Sequence, residues 1–268
     1  MKFFLMVFLS VSSMFLLAED KKFVFVTASY NNAQWCEKNL ISIFKQKHTD
    51  WRLIYTDDCS TDGAVDLVKK CIETFDMQDK VELICNEKRE GHLANQYKSI
   101  HTCEDDEVIV ILDGDDWLAH DEVLNYLNET YQDDNIWLTY GSYERLIPGY
   151  PKCFCSAVPE EVVKNNTIRK YTWCLSHLRT FYAGLFKHIK KEDLMFEDAF
   201  FPMAVDLATM YPMFEMAGIH HKYIEDILMI YNNDNSLNLV NINQATRKKY
   251  VKAIKKMNSY QKLTQAPC

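Results

Sequence analysis

Glycine and proline are scarce, with seven and six in 268 residues. A collagen-like repeat or a disordered low-complexity chain needs both in bulk, so neither describes this protein. Positive charge is also in deficit. Thirty Lys and Arg stand against thirty-eight Asp and Glu, a formal net charge of −8, which argues against a nucleic-acid binder, because a phosphate backbone calls for a basic surface. There is no G-x-G-x-x-G and no Walker-type loop, so dinucleotide-binding and P-loop folds lose their main support. The nine cysteines are scattered and no two have zinc-ligand spacing; Cys153-Phe154-Cys155 alone is no metal motif. Buried thiols acting as small hydrophobes are favoured for most of them, with one or two disulfides left open if the chain is secreted. No internal repeat occurs.

What is present is ordinary globular composition, 48% apolar and 25% charged, in a chain long enough for one large domain or two small ones. Lys2 precedes an apolar run over residues 3–17, broken by Ser10, Ser12 and Ser13 and followed by Ala18-Glu19-Asp20. That is the layout of a secretory signal peptide, with Ala18 as the cleavage point. The run falls short of the roughly 20 residues of a spanning helix. Residues 1–18 therefore read as a signal peptide or a short anchor, with a buried helix the weakest alternative. The expected location is the secretory lumen or a membrane reached through the N-terminus, ahead of the cytoplasm. The sequons Asn128-Glu129-Thr130 and Asn165-Asn166-Thr167 matter only in a lumen that has the glycosylation machinery.

From Phe23 onward, apolar runs of strand length alternate with helical periodicity. Residues 23–26 read as a strand buried on both faces. A helix follows over about 34–46, with Cys36, Leu40, Ile43 and Phe44 on one face. Strands are expected at 51–56, 81–85 and 108–112. Between them lie a helix carrying Val65, Val68, Ile72 and Phe75, capped by Ser60, Thr61 or Asp62, and another marked by Leu93, Tyr97 and Ile100. Such alternation implies a parallel sheet covered by helices on both faces. After Trp117 the rhythm changes. The expectations are a helix over 121–131, a strand at 136–140, a loop over about 148–167, a helix over 202–216 and a short strand near Tyr223. The C-terminal stretch reads as a basic helix bearing Lys248, Lys249, Lys252, Lys255 and Lys256, with a solvated face favoured over a membrane contact.

Ligands of a parallel sheet bind beyond the carboxyl ends of its strands. Three polar clusters lie there: Thr27-Ala28-Ser29-Tyr30-Asn31-Asn32, Asp57-Asp58-Cys59-Ser60-Thr61-Asp62, and Asp113-Gly114-Asp115-Asp116-Trp117. Three carboxylates within four residues repel one another unless a cation sits among them. Oxygen ligands suit Mg2+ or Mn2+, which keep positions open for phosphates, and Gly114 lets the backbone approach a ligand. The competing explanation is an acidic surface turn capping the next helix; the apolar strand before it and the Trp after it favour a site.

FVFVTASYNN, YTDDCSTDG and VILDGDDWL, in that order and spacing, resemble the inverting family 2 glycosyltransferases. That family has the GT-A fold: α/β, Rossmann-like, a mostly parallel sheet with helices on both faces and an acceptor-binding C-terminal half. The resemblance spans about residues 23–235. It implies a nucleotide-binding half over 19–117, an acceptor half over 118–235 and a tail over 236–268. It further implies transfer of a sugar from a nucleotide-sugar donor, a UDP-sugar, to a glycan, lipid or protein hydroxyl, with inversion and with Mn2+ or Mg2+. Carried over by position, Ala28, Ser29, Tyr30 and Asn31 line the base and ribose pocket, Tyr30 stacking on uracil. Asp58 accepts a hydrogen bond from the base. Asp113 lies near the ribose and, with Asp115, holds the metal. Asp116 and Trp117 face the donor sugar, or Asp116 orients the loop. The stretch from Lys88 to Asn95 is shorter than its counterpart in the family, which leaves Arg89 open between a phosphate and solvent, and Asn95 without a role.

An inverting transfer needs a base for the acceptor hydroxyl. Asp206, alone in an apolar run, would be costly to bury without purpose and precedes the helix-then-Gly pattern that the family shows after its base. Glu197 and Asp198 are the alternatives, and Val205 stands where the family has Glu. Arg179 can meet a phosphate; His177 can meet acceptor or donor, or serve the core. His220-His221 is a weaker candidate metal ligand. Asn232, Asn233, Asn235 and Asn238 read as a turn-rich loop, or a lid. A nucleotidyltransferase would need a Gly-rich basic loop where Ala28-Ser29-Tyr30-Asn31 stands. A non-catalytic sugar-binding protein would not need Asp58, Asp113, Asp115 and a base all intact.

Overall fold

Seven consecutive residues, Phe23–Ser29, are buried on both faces, which marks the centre of a sheet rather than its edge. The computed structural model, which describes residues 19–147, 155–235 and 244–268, has this strand, β1, in that position. Helix α1 (Cys36–Phe44) leads to β2 (Trp51–Asp57), α2 (Ala64–Thr74) to β3 (Val81–Cys85), and α3 (His92–His101) to β4 (Val108–Ile111). The four strands are parallel in the order β3-β2-β1-β4, so each connection is a helical crossover, as the alternating periodicities require. The register aligns their exits. Ser29 lies opposite Asp57 and Val26 opposite Ile111, which brings the loops after β1, β2 and β4 to one edge.

The second half of the chain extends the same sheet. It comprises β5 (Trp117–Leu118), α4 (Val123–Tyr131), β6 (Leu138–Arg145), α5 (Glu160–Lys164), β7 (Arg179–Tyr182), α6 (Ala183–Lys187), the hairpin of β8 (Met195–Phe196) and β9 (Ala199–Phe200), α7 (Val205–Ala217), β10 (His221–Tyr231) and α8 (Gln244–Lys256). The eight-stranded order is β3-β2-β1-β4-β7-β6-β10-β5. Because β7 runs against both β4 and β6, its first residue, Arg179, lies beside Ile111 at the end of β4. β6 and β10 are parallel to each other and deliver their carboxyl ends to that same edge. This is the mostly parallel α/β sheet flanked by helices that the motifs imply.

Helix α7 is buried all round from Leu207 to Ala217, the mark of an interior helix. Its one acid there, Glu215, accepts hydrogen bonds from Arg169 at 2.6 and 2.9 Å. Arg169 also donates to the Ile254 carbonyl of α8 at 2.8 Å, and the Tyr260 N–H donates to Glu215 at 3.0 Å. The basic C-terminal segment is thereby fastened to the domain.

Several expectations need correction. The basic helix ends at Lys256; beyond it Asn258 and Ser259, whose side chains compete for backbone groups, precede an irregular stretch held by Leu263 N–H on the Met216 carbonyl. The expected loop over 148–167 contains α5, while its residues 148–154, with Cys153, lie outside the described residues, as do 1–18 and Asn238. The strands at 136–140 and near Tyr223 become β6 and the eleven-residue β10. Their polar outer positions hide the strand pattern, and only their mutual pairing reveals it. The eight described cysteines are free thiols. No described helix is long and apolar enough to cross a membrane.

Candidate active site

The residues after β4 close a turn in which Asp116 N–H donates to the Asp113 carbonyl at 3.0 Å. Asn39, fully buried on α1, grips that turn from below, its Nδ2 donating to the carbonyls of Asp113 at 3.0 Å and Asp116 at 2.7 Å. A Cβ on Gly114 would lie 2.6 Å from Ser29 Oγ. The close approach of β1 by itself requires the glycine.

The three carboxylates of the turn have different environments. Asp116 is 1% exposed; its Oδ1 accepts the Asn232 N–H at 2.8 Å and its Oδ2 has no partner. Burial, then the charges of Asp115 and Asp113, push its pKa far up. Asp115 accepts from Asn235 Nδ2 at 2.7 Å, and burial with the Asp113 charge raises it to about 6. Asp113 feels the same burial, but His92 and then Arg179 outweigh it and hold the carboxyl below its ordinary range. Its Oδ1 sits 3.4 Å from His92 Nε2 and makes no hydrogen bond. Buried carboxylate oxygens without donors suit a hard divalent cation, and Asp113, with Asp115 beside it, could hold one. Among the described residues no three His, Cys, Asp or Glu side chains form a ready-made metal cage. An ion that takes one or two carboxylates and completes its shell with phosphate oxygens needs none.

Beside this turn, Asp58 is 3% exposed and fully engaged. Oδ1 accepts from Asn86 Nδ2 at 2.9 Å and Glu90 N–H at 2.8 Å; Oδ2 accepts from Gly91 N–H at 3.0 Å and Arg89 Nε at 3.1 Å. Burial alone would raise this carboxyl, but the Glu90 N–H, Asn86, Asn95 and Gly91 hold it down at about 2. The Arg89 guanidinium also lies 3.4 Å over the Tyr30 ring. Arg89, its side chain half in solvent, bonds Asp58 and covers one face of the ring expected to stack a base. Asn31, at φ 50°, is fixed by its N–H on Ser60 Oγ at 2.8 Å and by Thr61 N–H on its Oδ1 at 2.9 Å. A cavity of about 290 Å³ lined by Asn31, Trp35, Asp62 and Asn235 opens alongside.

The edge therefore unites Tyr30, Asn31, Asp58, Arg89, Asp113 and Asp115. The side chains of Ala28, Ser29, Asp116 and Trp117 are buried and support the site from beneath. Trp117 packs on Trp35 with centroids 6.4 Å apart, and Asp116 anchors the 232 loop through the Asn232 N–H. Asp206 is not buried, which corrects the premise of a costly buried acid. It is half-exposed in the first turn of α7, just after Ala204 at φ 58°. Glu197 and Asp198 form the exposed turn of the β8–β9 hairpin. His220 and His221 spend a ring nitrogen each on a backbone carbonyl, of Asn135 and Gly218, at the opening of β10 and so at the end remote from the acidic turn. Asn39, Asn86, His92 and Asn235 complete the site without having been singled out for these roles. For Asn39 a signal existed, an amide on the apolar face of α1 beside Leu40 and Ile43; for the others none did, because their partners come from distant loops.

The family model for glycosyl transferase family 2 matches residues 24–187, more than half of the chain but short of Asp206. TuaG of Bacillus subtilis, a glycosyltransferase ascribed to teichuronic acid biosynthesis, is 29% identical over 98 residues, 37% of this chain and 37% of TuaG. An uncharacterised glycosyltransferase of Haemophilus influenzae is 27% identical over 114 residues, 42% of this chain and 44% of its own. These matches take in less than half of either relative's length. Among solved structures, S. aureus TarS 1–349 in complex with UDP-GlcNAc has a TM-score of 0.61 at 17% identity, covering 80% of this chain and 59% of TarS 1–349. The mannosyltransferase PcManGT from Pyrobaculum calidifontis, in complex with GDP-Man and Mn2+, has a TM-score of 0.54 at 17% identity, covering 80% and 57%. At these identities the likeness is one of fold, and the fold is GT-A.

Proposed function

The chain belongs to glycosyl transferase family 2, and on that premise we propose that it moves a sugar from a UDP-sugar donor to an acceptor hydroxyl, with inversion and a divalent cation. The observation that carries this is the acidic turn, with buried oxygens of Asp113 and Asp116 left without donors, at the sheet edge that also holds Tyr30 and Asp58. A Mn2+ or Mg2+ bound by Asp113 and Asp115 would offset the charge of the departing diphosphate.

The chain's own residues do the rest. Asn39, Asn232 and Asn235 hold the acidic turn in one shape. Tyr30 receives the base on the face that Arg89 covers, once that exposed side chain swings away, and the oxygen Arg89 releases on Asp58 can then accept the uracil N3–H. Asp206, reachable at the start of α7, takes the proton from the acceptor hydroxyl as it attacks the anomeric carbon. The acceptor is a glycan, lipid or protein. Residues 1–18 direct the enzyme to a membrane or the secretory lumen.

Calorimetric titration of UDP and GDP, each with and without Mn2+, tests the donor. UDP should bind tighter, and only with the cation. GDP is the rival, since GDP-Man occupies PcManGT; tighter GDP binding would reverse the base assignment. Failure of both nucleotides to bind in Mn2+ would favour a non-catalytic protein on this fold.

A further inference from the structure

Arg179 opens β7 at 6% exposure. A guanidinium that deep calls for an anion in direct contact. Among the described residues its side chain makes one hydrogen bond, from Nη2 to His177 Nδ1 at 3.2 Å, and its Nε has no partner. His177 supplies no negative charge. Burial, then Arg179 itself, holds that imidazole neutral, its pKa down at about 3; with Nδ1 accepting, its proton lies on Nε2.

The strand register sets Arg179 opposite Ile111, two residues before Asp113. The Asp113 and Asp116 carboxylates feel its charge without bonding it, and each keeps a buried oxygen without a partner, Asp113 Oδ1 and Asp116 Oδ2. Orphan acceptors and an orphan cationic donor thus belong to one corner of the site. A metal ion alone would satisfy the carboxylates but be repelled by Arg179. A phosphate alone would satisfy Arg179 but be repelled by the carboxylates. A cation already joined to a diphosphate satisfies both.

We propose that Arg179 is the protein's own cationic ligand for the donor diphosphate, so that the site takes metal and diphosphate as a unit and neither well alone. This rests on the nucleotide-sugar assignment above. The competing role is a purely structural counter-charge to the acidic turn, whose loss would affect every ligand alike.

The full-length chain and its Arg179→Gln and Arg179→Lys variants are titrated calorimetrically with UDP in Mn2+, with uridine, and with Mn2+ alone. In Arg179→Gln, UDP affinity should fall about tenfold to a hundredfold, the effect of a lost charged hydrogen bond. Uridine affinity should be unchanged, and Mn2+ alone should bind as well or better, because a repelling cation has gone. Arg179→Lys should recover part of the UDP affinity, as it keeps the charge but not the planar fork. If the Gln variant does not fold, the Lys variant decides by the same comparison: a loss confined to UDP supports the proposal. Equal losses for uridine and UDP, no loss for UDP, or weaker Mn2+ binding alone would overturn it. Wild-type UDP binding indifferent to Mn2+ would instead overturn the metal-dependent donor assignment, whatever the variants do.

Discussion

A carboxylate offers about four lone-pair sites, and Asp58 has a donor on each. All four of its donors belong to the segment from Asn86 to Gly91 that β3 feeds into α3, so its first task is to shape that loop. Asp115 is in the opposite condition: one amide donor, a like charge beside it, and a pKa raised to about 6. A group whose folded pKa exceeds its unfolded value, 3.8 here, stabilises the protonated folded form. Stability from Asp115 is therefore greatest at acid pH and falls as pH rises through about 6, unless a cation takes the proton's place. Mn2+ should raise Tm more at pH 7.5 than at pH 5, and Asp115→Asn should abolish that increment and turnover while leaving the metal-free Tm equal or higher. Thermal melts at the two pH values check this; an Mn2+ increment no larger at pH 7.5 would contradict it. For Asp206, kcat of Asp206→Asn should fall by about 10²–10⁴ with donor affinity unchanged, because the base acts on the acceptor. Glu197→Gln and Asp198→Asn, on the exposed hairpin turn, are the controls, and a comparable loss in either would move the base there.

At the scale of elements, apolar patterning and pairing carried unequal information. β1 and β4 are legible because both faces are buried, so each strand carries an unbroken apolar run. β6 and β10 are longer than their patterns suggest, since the exposed Glu225 and Asp226 sit at a bulge between Ile224 and Ile227 that breaks the alternation, and the ladder on either side continues the strand. The fastening of α8 to α7 was equally hidden, because Arg169 and Glu215 are 46 positions apart and neither stands in a motif. Removing one partner of a buried pair strands the other charge, at a cost of about 3–5 kcal/mol. Glu215→Gln should therefore lower Tm by several degrees and loosen α8 before the sheet, visible as faster hydrogen exchange in residues 244–256. Unchanged exchange there would mean that α8 is held by its apolar contacts alone.

For the whole molecule, strands from both halves of the chain join one sheet, so the two halves share a core. The charged-then-apolar layout of residues 2–17 is the basis for proposing that residues 1–18 act as a signal peptide or short anchor. Sequencing the N-terminus of protein from its native host should find residues 1–18 removed, or the intact chain in the membrane fraction; an intact soluble cytosolic product would exclude both. The succession of β1 to β4 and the helices between them followed from local sequence, because periodicity of 2 or 3.6 is a property of neighbours along the chain; the place of β7 between β4 and β6 did not. So did the gathering of Asp58, Asp113 and Asp115 at one edge, since parallel strands must all end on the same side. What each acid does there was decided only by tertiary structure. Asp58 is saturated, Asp116 buried and Asp115 raised in pKa, and Arg179 faces them from a strand 66 residues beyond Asp113. Burial and charge coupling depend on atoms brought together across the fold, and no spacing in the chain encodes those distances.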